Sequence, residues 1–266
     1  KLLAPEPAQQ LRFPPAVWPL AELLLTAHAA RFTGRVVLRP GGRPGRGIPP
    51  GADAVFFREG SLVGVERPGP RGARGLAEVL VEEDELEPAE AEAFLGGAKG
   101  VADLARQLDE RGLVARWVLD RAVAEHARRR LFERAGDEAS MVEVRAGIEA
   151  LASFHPVYID PRPAIAFGLV VHGRSSDKEA IMKRLAGRRV GLVVPYDAHR
   201  NLYGLPPPLL AAAEALSGGL SFDRPPRFGG LSWSDSAGLL LLLERIGLLE
   251  LEDEAGEPRV PTSSPG

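Results

Sequence analysis

LAEVLVEEDELEPAEAEAFLGGAKGVADLARQLDERGLV, residues 76–114, carries one small pattern twice at a step of 28 residues. Leu76-Ala77-x-x-Leu80 recurs as Leu104-Ala105-x-x-Leu108. Four residues after each second leucine stands a turn-former, Asp84 and then Gly112, and an apolar residue follows two positions later, Leu86 and then Val114. Apolar residues at this spacing line one face of a helix, so each copy predicts a short helix, a tight turn and a second helix. One such pair cannot bury its own apolar face; two stacked together are expected to bury Leu, Val and Trp between them.

Outward from the repeat, the spacing predicts a longer helix from Trp117 to Arg134, stopped by Gly136. On the N-terminal side, Pro68-Gly69-Pro70-Arg71-Gly72 ends a β-rich stretch. Gly34–Arg39, Asp53–Arg58 and Ser61–Glu66 alternate and are rich in β-branched residues, and Glu59-Gly60 fits a tight hairpin turn between the last two. Pro40–Gly51 (PGGRPGRGIPPG) reads as a loop, and Trp18–Ala30 as a helix with Pro19 in its first turn. Met141–Arg145 alternates apolar and polar, as a strand returning to the same sheet would. The fold class expected is α+β: a small antiparallel meander with a helical insertion over residues 75–135.

The C-terminal half is less regular. No element is assigned over 150–174. Ser176-x-x-Glu179 predicts a capping box on a helix Asp177–Ala186 with Gly187 at its end, followed by a strand Val190–Val194. A helix Pro208–Leu216, a break at Gly218-Gly219, a segment Leu220–Phe222, a helix Ser234–Ile246 and a strand Gly247–Leu251 come next, an order similar to a winged helix. The expected organisation is a proline-rich lead-in (1–15), a first domain (16–148), an αβ connector (149–205), a winged-helix-like unit (206–252) and a tail (253–266). The ends read as those of a segment from a longer protein.

The 266 residues are 45% hydrophobic and 26% charged, as in ordinary folded proteins, and the net charge of −3 argues against a global attraction to nucleic acid or an anionic membrane. With no cysteine, disulfides, thiol nucleophiles and thiolate metal sites are excluded. No apolar run reaches the ~18 residues of a membrane span. A cytoplasmic location is expected. The five histidines, His28, His126, His155, His172 and His199, show no metal-ligand spacing. Tyr196-Asp197-Ala198-His199 lacks a nucleophile and reads as a turn. Gly41–Gly47 runs into Pro49-Pro50 instead of the Gly-Lys-Ser/Thr and helix of a phosphate loop. Arg128-Arg129-Arg130 reads as a solvated face, with Glu125 and Arg129 an i,i+4 pair. Catalytic, cofactor-binding and metal-binding residues are each expected to be none, and the chain is read as not an enzyme.

The leading helix, the hairpin Val55-Phe56-Phe57-Arg58-Glu59-Gly60-Ser61-Leu62-Val63-Gly64-Val65, the repeated Leu-x-x-x-Leu insertion and the return strand together resemble the PatA N-terminal-like (PATAN) family of bacterial signalling proteins, over roughly residues 16–148. That resemblance implies a non-enzymatic regulatory module with a protein partner or self-association. The repeat is also similar to the N-terminal domains of secretion and pilus-assembly ATPases, some of which bind cyclic di-GMP through an Arg-Leu-Gly triplet. Here the aligned triplets are Gly75-Leu76-Ala77 and Asp103-Leu104-Ala105, with Arg74 one residue early. A second-messenger sensor is therefore the alternative. A DNA-associated regulator is a third reading, opposed by Arg245 as the lone cation of the helix Ser234–Ile246 and by the acidic flank Glu250–Glu254.

Overall fold

The computed structural model describes residues 10–13, 19–39, 52–137, 141–147, 158–193, 203–222 and 227–252. The chain forms two compact units, residues 1–134 with 138–161, and residues 135–137 with 162–266. Each combines helices with an antiparallel sheet, so the chain is α+β.

In the first unit five strands lie in the order β1-β5-β2-β3-β4. They are β1 (Gln10–Phe13), β2 (Gly34–Arg39), β3 (Asp53–Arg58), β4 (Ser61–Glu66) and β5 (Met141–Ala146). The meander β2-β3-β4 and the return strand stand where alternation placed them. Glu59 (φ 51°) and Gly60 (φ 80°) are both left-handed, as a two-residue type I′ turn requires. A Cβ at Gly60 would lie 2.4 Å from the His28 carbonyl oxygen, at the end of helix α1 (Leu20–Ala29). The His28 ring donates from Nδ1 to the Gly60 carbonyl at 2.8 Å, so this histidine fastens α1 to the hairpin.

The lead-in differs from expectation. Residues 10–13 form a strand paired with β5, from Gln10 opposite Arg145 to Phe13 opposite Val142. Four residues whose partner lies far along the chain leave no local periodicity to read. At the other edge Leu62 exchanges two backbone hydrogen bonds of 2.9 Å with Ile159, which shields part of β4.

The insertion between β4 and β5 comprises α2 (Pro70–Glu82), α3 (Pro88–Leu95), α4 (Val101–Glu110) and α5 (Arg116–Arg134). The 28-residue step reappears in the backbone. Asp84 (φ 57°) and Gly112 (φ 64°) are both left-handed. The following amides close the helix ends in the same way, Glu85 donating to the Leu80 carbonyl at 2.9 Å and Leu113 to that of Leu108 at 3.2 Å. Leu76, Leu80, Leu104 and Leu108 are wholly buried in one cluster with Leu86 and Val114. Each buried leucine contributes about 1.5–3 kcal/mol, which far exceeds what a short isolated helix supplies from its own hydrogen bonds.

The second unit contains α6 (Arg162–His172), α7 (Ser175–Leu185), β6 (Arg189–Leu192), α8 (Pro207–Leu216), β7 (Leu220–Ser221), α9 (Trp233–Arg245) and β8 (Leu249–Glu252), with β6 central in the sheet β7-β6-β8. Helix α9 packs against α6, α7 and α8, and Leu239–Leu243 are at most 2% exposed. Gly238 permits the α6 crossing, because a Cβ there would lie 2.2 Å from the Val170 carbonyl oxygen. Three expectations change. Residues 162–172, left unassigned, are a helix. Helix α7 begins at Ser175 after Arg174, so Ser176 lies inside the first turn and no side chain caps the helix. The stretch 149–205, expected as an αβ connector, is divided between the units at 161/162, and its β6 is the middle strand of the second unit's sheet. Among the described residues one strand follows α9, and β7 lies between α8 and α9.

Candidate functional site

Asp53 opens β3 and is 1% exposed, a charged residue at the foot of an apolar sheet. Three arginines approach its carboxylate: Arg130 at 3.1 Å, Arg134 at 3.3 Å and Arg67 at 3.7 Å. Removing one partner of a buried pair leaves an uncompensated charge, so the group acts as a fixed anchor between β3, the β4–α2 connection and α5. This corrects the reading of Arg128-Arg129-Arg130 as one solvated face. Arg129 does pair with Glu125 at 2.9 Å, and with Glu82 at 2.6 Å, while Arg128 stays outside. Arg130, a further 100° round the helix, points to Asp53.

Above this anchor the first turns of α2, the β4–α2 connection and α5 enclose a cleft of about 220 Å³. Arg67, Arg71, Arg74, Arg129 and Arg130 line it, against the two carboxylates Glu78 and Glu133. His126 forms part of its wall and is 4% exposed. Burial pushes the His126 imidazole down to about 4, helped by the neighbouring Arg130 guanidinium, so at neutral pH the ring carries no charge. The ring lies against Gly75, where a Cβ would approach to 2.7 Å. Gly72 is equally constrained, with the Arg67 carbonyl oxygen 1.7 Å from where its Cβ would be. These two glycines let α5 and the β4–α2 connection close on α2.

The two repeat triplets are engaged in the fold itself. Gly75 sits under His126. Asp103 accepts the Lys99 amide at 3.0 Å and the Gln107 side chain at 2.8 Å, and it pairs with Arg106 at 2.5 Å. The Lys99 bond above all holds the Asp103 carboxyl below its usual range. Arg74 pairs with Glu92 at 3.0 Å. Sequence reading missed Glu66, whose two carboxylate oxygens accept the first amides of α4, Val101 at 2.8 Å and Ala102 at 2.9 Å. Gly100 leaves the room for it, since a Cβ there would lie 1.8 Å from the carboxylate. Burial pushes the Glu66 carboxyl up to about 7, against those two amides and with the Asp103 carboxylate adding to the rise.

The expectation that the insertion buries its tryptophan fails: Trp117 is 65% exposed, and Leu113 43%. The Arg121 guanidinium stacks 5.3 Å from the Trp117 ring centroid and pairs with Glu83 at 2.7 Å. In the second unit, buried Lys178 donates to the Val171 carbonyl at 3.2 Å and to Ser234 Oγ at 2.9 Å, and burial lowers its pKa. This lysine satisfies the end of α6 and ties it to the start of α9. Among the described residues no three His, Asp or Glu side chains are placed to hold a metal ion, and no helix is long and apolar enough to cross a membrane. His155, Tyr196–His199 and the loop Pro40–Gly51 lie outside the described residues. No protein-family model, curated protein or solved structure matches the chain.

Proposed function

We propose that this chain is a non-enzymatic protein–protein interaction module, of a regulatory rather than catalytic kind. The observation that supports it best is the exposure of Trp117 and Leu113, two large apolar side chains left in solvent on an insertion whose other large apolar residues are covered. Aromatic residues held rigidly at a surface dominate the energetics of protein interfaces. The stacked Arg121, itself fixed by Glu83, limits the rotamers of Trp117 and so lowers the entropy lost on docking. The sensor alternative gains no matching support, because Gly75 and Asp103 are taken up by the packing and capping of the repeat itself.

The test is the size of the native assembly. In extract from cells that make this protein naturally, the wild-type chain is expected to migrate in a complex larger than its own mass. Trp117→Ser, which removes an exposed ring and leaves the core intact, is expected to migrate alone. Migration of the wild type at its own mass would overturn the reading, as would a Trp117→Ser variant that keeps the complex.

A further inference from the structure

We infer that the arginine-lined cleft between α2 and α5 is a binding site for a small phosphoryl anion, one or two phosphoryl groups in size. Three chain segments contribute its arginines: Arg67 from the β4–α2 connection, Arg71 and Arg74 from α2, and Arg129 and Arg130 from α5. A carboxylate offers two coplanar oxygens, whereas a phosphoryl group presents three oxygens in three directions, which suits convergent donors. The first turn of α2 carries no acidic side chain, and its N-terminus adds a positive dipole end to the same wall. The volume, about 220 Å³, is below the roughly 300–1,000 Å³ of pockets that take whole drug-sized ligands, so a diphosphate fits better than a dinucleotide.

The arginines differ in what they have to give up. Arg130 and Arg67 are held by buried Asp53, and Arg130 pairs as well with Glu133 of the cleft lining, so these two are fixed. Arg74 pairs with exposed Glu92, and Arg129 with exposed Glu82 and half-buried Glu125; surface pairs of this kind are each worth only about 0–1 kcal/mol. An anion with several charge-assisted bonds to offer outcompetes them. Arg71 is exposed on the cleft wall and has no ion-pair or hydrogen-bond partner among the described residues. It is the donor that a ligand meets at no cost to the fold. The neutral His126 ring closes the wall without adding charge of either sign.

Calorimetric titration of the full chain with inorganic pyrophosphate, at constant ionic strength, tests this site independently of the Trp117 surface. Wild type is expected to bind with a Kd of about 0.1 mM or tighter, and Arg71→Gln to weaken it by at least about tenfold at an unchanged melting temperature. Arg74→Gln, whose loss breaks one exposed pair, is expected to weaken it by about three- to tenfold. Absence of heat with wild type, or affinity unchanged in Arg71→Gln, overturns the proposal. Citrate binding as tightly as pyrophosphate would overturn the phosphoryl assignment.

Discussion

Glu66 and His126 are the residues whose protonation the fold perturbs most plainly, and they act in opposite directions. The Glu66 carboxyl rises from an ordinary 4.5 to about 7, so the folded chain holds its proton more tightly than the unfolded chain. Its contribution to stability is present below pH 4.5 and is lost as pH rises towards 7. The His126 imidazole falls from 6.5 to about 4, so its contribution is present above pH 6.5 and is lost as pH falls towards 4. Each shift corresponds to roughly 3 kcal/mol, so the two slopes offset one another between pH 4.5 and 6.5. Urea denaturation across that window is expected to separate them. Glu66→Gln should gain stability by about 2–3 kcal/mol from the acid to the neutral end, and His126→Gln should lose a similar amount. Parallel profiles for the two variants would contradict this assignment. Neither group had a legible signal. Glu66 looked like the polar end of a strand, and its role depends on amides 35 and 36 residues away. Asp53 likewise meets Arg130 across 77 residues, and charged side chains carry no periodicity that announces such a partner.

The helical insertion is the most legible element, because its signal is local. Asp84 and Gly112 were visible as turn-formers at matched positions, and both adopt the left-handed conformation that ends a helix. Gly112 reaches it without a Cβ penalty, while Asp84 is one of the few other residue types that tolerate it. Gly112→Ala is expected to cost about 1 kcal/mol, and Asp84→Gly to be neutral or slightly stabilising, read as shifts in the urea midpoint at constant slope. A Gly112→Ala variant as stable as wild type would show that the turn is not held in this conformation. The missed elements have the opposite character. β1 is four residues long and is defined only by its pairing with β5. Helix α6 (RPAIAFGLVVH) is apolar nearly all round, so a 3.6-residue stripe cannot be told from a buried strand. The α7 start differs because Ser176 and Glu179 match a capping pattern by type, although Ser176 already lies inside the first turn of a helix that begins without a side-chain cap.

At the scale of the whole molecule, a net charge of −3 conceals the five arginines that line the α2–α5 cleft, since composition averages over surfaces that ligands meet one at a time. Leu239–Leu243 are buried and α9 packs on three helices of its own unit. That leaves Trp117 as the largest exposed apolar side chain among the described residues and as the centre of the proposed interface. The most direct test places a photo-crosslinking amino acid at position 117, with the exposed position 89 of α3 as control, in the cells that make this protein. The account predicts one discrete crosslinked species from position 117 and none from position 89. Equal crosslinking from both positions, or none from position 117, would contradict it.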